Sequence, residues 1–459
     1  MTHTTPLAQK FTMRTLLRFA APSIGMMLIV SLYTITDGIF IGQFAGSNAL
    51  AASNLVYPPI NLLYGLGIML ASGGSALAAK TLGEKKQRLA NAQFSFITAS
   101  GAAIGILLAL LICFFFEPIL HILGATPELM ADCRSYLGTL LPFFPAASLL
   151  VIFNAFYIAD GRPIQGFFVS VASGIANAAL DYLFLAHFNM GIAGAALATG
   201  ISDLLAAVIG LFYFARCSRS LHFSGFAARF PILKAACSNG ISELVTQLSV
   251  GIITFLFNIL TLSYAGADGV AAITVILYAE MLLSAVFMGF TNGVAPIFSY
   301  HYGARHPREL VRLLKASLVI IAASGLFAFA AAQMLAAPLI QLFLPQGGDA
   351  ARLTENGLAL FSFSFLLSGF NLFGSGFFTA LSNGKTSAAL SFVRNLAAAI
   401  LFLAVLPCFF GLNGVWLAIP AADIAALLLT VFCLRSEADA LQNGQLSLPS
   451  AGCPETNKI

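Results

Sequence analysis

The chain has 459 residues, 59% hydrophobic and 9% charged, with a formal net charge of +4. A soluble domain carries roughly 25% charged residues, so a water-soluble enzyme is excluded and a multispan membrane protein is expected. The seven cysteines have no CxxC spacing and no histidine cluster beside them, so they read as apolar filler and no disulfide framework or zinc site is expected.

Apolar runs interrupted by polar or glycine breaks fall, in chain order, at 16–43, 50–80, 89–117, 130–158, 163–186, 191–215, 231–264, 269–301, 310–337, 352–382, 386–410 and 413–434. Each is far longer than a barrel strand, which needs about ten residues of alternating polarity. The expected fold is therefore all-α, with twelve transmembrane helices. The first run continues past Asp37 without an A-x-A site, so no cleavable signal is expected.

Orientation follows from the basic residues. Nineteen of the 22 Lys and Arg fall in one set of connections and in the termini, including Lys80, Lys85, Lys86 and Arg88, then Arg216, Arg219, Arg229 and Lys234, and then Arg305, Arg308, Arg312 and Lys315. Arg134 and Arg352 are the basic residues of the alternate connections, and Arg394 lies inside a run. The positive-inside rule then makes both termini cytoplasmic, as an even span count requires.

The chain also repeats itself. A shift of 220 residues pairs AGSNALAAS (45–53) with AGADGVAAI (265–273), and LGEKKQR (82–88) with YGARHPR (302–308). A shift of 223 pairs DGR (160–162) with NGK (383–385). Two pseudo-symmetric six-helix halves are expected, at 14–216 and 231–435, with a cytoplasmic linker at 217–230 and a cytoplasmic tail at 436–459. Repeats of an even number of spans are related by an axis along the membrane normal, as in one class of secondary transporters. No GxxxxGK[ST] run is present, so the work must draw on an ion gradient or on substrate flow.

A carboxylate at mid-membrane costs about 2.5–3.5 kcal/mol on insertion scales and needs a partner, a cavity or a proton. The candidates are Asp37, Asp181, Asp203, Glu243, Glu280 and Asp423. Under the repeat, Asp37 maps to Phe257, Asn177 to Ile400, Asp181 to Ala404 and Thr199 to Ala422, so the first half carries a polar set that the second lacks. Asn177 and Asp181 share a helix face. Asp181 and Thr199 lie at similar depth on antiparallel neighbours, and Asp37 lies near its own external loop. These four are read as one pocket with hard oxygen ligands, suited to a proton or Na⁺ at Asp37 and Asp181 and to no other metal; the competing reading is an interhelical lock. Asp203 and Asp423, almost duplicated, are read as structural. Tyr33, Glu243, Gln247 and Glu280 are candidates for a substrate cavity, Glu280 near the midplane. Pro22 marks a kink or hinge 15 residues before Asp37. Arg394 is expected to neutralise one of the acids.

The pattern of Pro22 and Asp37 in the first helix, NAFYIADGRP (154–163) and GVAPIFSYHYGAR (293–305) resembles the multidrug and toxic compound extrusion (MATE) family, in particular its MepA-like bacterial branch. The resemblance covers residues 14–435. It implies a V-shaped bundle in the bacterial cytoplasmic (inner) membrane that acts as a Na⁺- or H⁺-driven antiporter exporting amphipathic, mostly cationic drugs. It implies neither enzyme activity nor a cofactor nor nucleic-acid binding, and a monomer suffices. The family's first-half cation site matches Asp37, Asn177, Asp181 and Thr199. Asn154 stands in the family's fourth-helix motif, but its depth places it near the cytoplasmic end. Where family members with a second-half cation site carry a Glu, this chain reads TQLSVGII (246–253), which favours the first half. A flippase of lipid-linked or glycan precursors is the alternative; its cavity would want fixed basic charge, and Arg394 is the one basic residue well inside a run.

Overall fold

A computed structural model describes residues 6–218, 220–225, 230–343 and 348–443. Arg219, Arg229 and Lys458, and the parts of the expected linker and tail at 226–229 and 444–459, lie outside them. Among the described residues there is no strand. The membrane-length helices are α1 Met13–Ala45, α2 Tyr57–Gly83, α3 Gln87–Phe114, α4 Met130–Ala159, α5 Pro163–His187 and α6 Ile192–Cys217. A continuous stretch Phe230–Gly303 follows, then α9 Pro307–Gln341, α10 Asp349–Ala380, α11 Gly384–Phe410 and α12 Leu412–Gln442. The long stretch is broken at Gly266, where φ is 60° and ψ −147°, a conformation open to glycine at little cost. It is therefore two helices, α7 (230–265) and α8 (267–303), and the total is the expected twelve.

Two ends differ from the hydropathy reading. The second run begins as a separate short helix, Ser47–Leu55, and α2 starts only at Tyr57 because Pro58 and Pro59 tolerate nothing but the first turn of a helix. The third run likewise ends at Phe114, with a short helix Phe116–Ile122 after it.

Each half has its own aromatic core. In the first, Phe94, Phe153, Phe156, Tyr157 and Phe214 are essentially fully buried; in the second, Trp416 is packed with Phe287, Phe361 and Phe365. Phe114, Phe327, Phe409 and Phe432 point outward and are more than two-thirds exposed. Apolar surface on this scale belongs against lipid tails rather than water. The six described cysteines are unpaired.

The halves meet where α2 crosses α7 and α8. A Cβ on Gly73 would lie 2.0 Å from the Ala236 carbonyl oxygen, and one on Gly303 would lie 2.0 Å from that of Lys80. The partners Gly240 and Gly83 are equally tight, at 2.0 and 2.1 Å from the carbonyls of Met69 and Tyr300. Backbones this close pack by van der Waals contact without any side chain between them, the usual device where lipid offers no hydrophobic drive. Both crossings lie toward the helix ends that carry the basic loops.

Just after α4, the buried Asp160 ties down the segment that leaves α6. Its carboxylate accepts hydrogen bonds from Tyr213 Oη (2.7 Å), Ser218 Oγ (2.7 Å), Ser220 N (3.1 Å) and Leu221 N (2.9 Å). Farther along, Ser224 N donates to Ser95 Oγ on α3 at 2.9 Å. The described part of the connection between the halves is thus strapped to the first half.

Candidate functional site

Helices α1, α5 and α6 bring the four first-half residues together. Asp37 sits eight residues before the end of α1, and Asp181 six before the end of α5. Each helix widens to π geometry shortly after its acid, at Ile41–Ala45 and Tyr182–His187, and the two wide turns pack on each other. Wide turns of this kind recur at functional sites because they re-aim a side chain that a regular helix would point elsewhere. Here the carboxyls of Asp37 and Asp181 meet within hydrogen-bonding reach.

Asp181 is fully buried and Asn177 is 2% exposed. Asn177 Nδ2 donates to Thr199 Oγ1 at 3.4 Å, which fixes the amide and turns its oxygen away. Ser173 Oγ, one turn earlier on α5, donates to the Ser202 carbonyl at 3.1 Å and locks α5 to α6. Four buried oxygens then remain without a donor: Asp37 Oδ1, both carboxylate oxygens of Asp181 and Asn177 Oδ1. Carboxylates are acceptors only, so two that touch need a proton or a cation between them. The donor set is all oxygen and fits a hard monovalent cation as well as a proton.

Around this pocket stands a ring that the sequence reading did not assemble. Asp203 on α6 accepts a hydrogen bond from Tyr64 Oη on α2 at 3.2 Å. Tyr33 lies within electrostatic range of Asp203 and Asp37, and Tyr136 on α4 within range of Asp37, Asp181 and Asp203. Tyr33, expected in a substrate cavity, thus stands beside the acid pair, and Asp203 joins the first-half group. The tyrosines were visible only as isolated aromatics in apolar runs; no spacing rule links residues on α1, α2 and α4.

The other candidates are placed apart from this group. Gln247 is at the contact between halves, its carbonyl accepting from Asn61 Nδ2 at 2.8 Å. Glu243 lies one turn deeper on the same helix, half-buried. Asn154 has a buried amide oxygen without a partner, in the last two turns of α4. Pro22 lies inside α1 where the helix presses on α8: a Cβ on Gly289 would stand 2.5 Å from Ile24 Cα. Arg394 and Asp423 are paired within the second half, and Glu280 is near both.

Two six-helix bundles joined along glycine crossings, with a buried acid pair in one bundle and no soluble domain among the described residues, define a two-lobed membrane transporter. The MatE family model matches the chain twice, at residues 22–183 and 244–404, an offset close to the 220-residue self-alignment. The chain belongs to the MatE family; it is a multi-pass membrane transporter and not an enzyme. Multidrug export protein MepA of Staphylococcus saprophyticus is 27% identical over 92% of this chain and 93% of that protein, and MepA of Staphylococcus aureus strain MSSA476 is 26% identical over 92% and 94%. Among solved structures, MATE in complex with MaL6 superimposes with a TM-score of 0.90 at 21% identity, covering 96% of this chain and all of that one. MATE in the straight conformation gives 0.89 at the same identity. These likenesses establish the fold as a MATE-type bundle.

Proposed function

We propose that this chain is a cation-coupled multidrug antiporter. It sits in a bacterial cytoplasmic membrane with both termini inside, and exports amphipathic, mostly cationic small molecules by alternating access. The supporting observation is the set of four donorless oxygens at Asp37, Asp181 and Asn177. A Na⁺ arriving from outside takes these oxygens as ligands, or an H⁺ binds one carboxyl and is shared with the other, and its arrival changes the packing of α1 against α5. Because α1 also presses on α8 just beyond Pro22, a change at Asp37 is carried by one helix to the boundary between halves. Coupling requires the ion and the drug to favour different arrangements, since a ligand with equal affinity for both shifts nothing. The names of the MepA relatives support drugs as cargo. The linker and half boundaries at 217–230 belong to the same proposal. A flippase of phosphate-linked lipids finds less support, because Arg394 is already engaged by Asp423.

The experiment is ethidium efflux from proteoliposomes under Na⁺ and pH gradients imposed separately. One of the two gradients is expected to drive efflux by the wild type and to fail with Asp37→Asn and Asp181→Asn. Full efflux by both variants contradicts the proposal.

A further inference from the structure

The second half also buries acids, and it treats them differently. Asp423 on α12 is 1% exposed, and its Oδ1 accepts a 2.6 Å hydrogen bond from Nε of Arg394 on α11, itself 13% exposed. Arg394 Nη1 donates to Asn395 Oδ1 at 3.1 Å, and Asn395 Nδ2 donates to Thr246 Oγ1 on α7 at 2.9 Å. From the opposite side, Asn371 Nδ2 on α10 reaches the Asp423 carbonyl at 3.0 Å and its Oδ1 at 3.2 Å. Thr430 Oγ1 fixes that amide by donating to Asn371 Oδ1 at 2.9 Å. Glu280 on α8 stands in electrostatic range of both Arg394 and Asp423. Arg394 lies in a wide turn, Val393–Ala398, the same local device that follows Asp37 and Asp181 in the first half.

Buried carboxylates in a membrane bundle need a counter-charge. Among the described residues of the first half, no basic side chain supplies one to Asp37 or Asp181. In the second half the chain supplies it covalently, as a guanidinium that stays protonated at any accessible pH and whose planar fork is held by two neighbours, Asp423 and Asn395. We infer that Arg394 is a tethered cation that keeps the second half permanently in its cation-loaded arrangement, so that the first half alone exchanges an ion during transport. The inference rests on the reading of Asp37 and Asp181 as the coupling site. It assigns Arg394 a positioning role: it ties α11 to α12 and offsets the charge of Glu280 on α8, as a bound ion would.

Arg394→Ala then opens a vacancy with the shape and charge of guanidinium. The test is thermal unfolding of the purified variant in choline chloride, alone and with millimolar guanidinium chloride, equimolar urea or sodium chloride. These concentrations are far below those at which either additive denatures. The variant is expected to unfold several degrees below the wild type, because Asp423 is left buried without its partner. Guanidinium is expected to restore at least half of that loss, and urea, a neutral molecule of the same shape, none of it; Arg394→Lys should retain more of the wild-type value than the alanine variant. Equal rescue by urea, or no loss in the alanine variant, overturns the inference.

A second arm does not depend on that variant folding. The melting temperature of Asp37→Asn/Asp181→Asn is expected to be the same in sodium and in choline, because the remaining site already holds its cation. Persistent stabilisation by Na⁺ would put an exchangeable ion in the second half and overturn the inference. Failure of the coupling reading shows separately, as gradient-driven efflux by that double variant.

Discussion

The carboxyl of Asp181 on α5 meets that of Asp37 on α1 inside the first half, with no basic side chain among the described residues acting on either. Asparagine at one position keeps the shape and supplies the missing donor, so the pair closes without an ion. Each single variant is expected to insert and fold, yet to lose gradient-driven ethidium efflux by roughly tenfold or more, the range of an ordinary coupling energy. Efflux rates normalised to reconstituted protein check this.

Thr199 acts one step back from the pair, by orienting the Asn177 amide through a long, 3.4 Å bond. Thr199→Val keeps the volume and removes that acceptor. A loss of about twofold to fivefold is expected, smaller than for either acid, because a neutral hydrogen bond contributes about 0.5–1.5 kcal/mol. The ion concentration for half-maximal efflux should rise while the maximal rate holds.

The glycine crossings set a steric requirement where the two halves meet. A leucine at Gly303 meets the Lys80 backbone rather than a side chain that can swing aside. Gly303→Leu is expected to hold the halves apart there and abolish efflux, while drug binding to the purified protein persists. Wild-type efflux by this variant would mean that the crossing is not part of the cycle.

Asp160 gives a pH dependence outside the spans. Burial pushes its carboxyl above the usual carboxylate range, and the hydrogen bonds from Tyr213, Ser218, Leu221 and Ser220 pull it back only in part. A raised folded value means that folding favours the protonated form. The contribution is therefore full below the unfolded value of about 3.9 and is lost as pH rises through the folded one. The melting temperature of the wild type relative to Asp160→Asn should fall as pH is raised through that window. Asp160→Ala, which leaves the Tyr213 and Ser218 hydroxyls and Ser220 N without their acceptor while Leu221 N keeps Ser218 Oγ, should cost about 2–4 kcal/mol.

The sequence made the helices and the first-half acid group legible for different reasons. Spans follow from uninterrupted apolar runs, and Gly266 was visible as a break because its loop repeats the one at Gly46. Asp37, Asn177, Asp181 and Thr199 stood out because a repeat makes an unmatched polar residue conspicuous. Partners across the bundle carried no such mark. Arg394 and Asp423 are 29 positions apart on different helices, and Tyr64 and Asp203 are 139 apart, so only packing reveals that they touch. Asp160 lay in plain view in the DGR triplet, but its role depends on how the chain leaves α6. The start of α2 was misplaced because hydropathy does not register the helix-starting effect of Pro58 and Pro59.

The central claim is that the first-half acid pair holds an ion whose release is linked to drug binding. Its most direct test is to add tetraphenylphosphonium to purified protein in weakly buffered detergent and record proton release with a pH dye and Na⁺ release with a Na⁺-sensitive dye. The account predicts release of one of the two ions by the wild type, and none by Asp37→Asn or Asp181→Asn although both still bind the drug. Equal ion release by both variants and the wild type would contradict it.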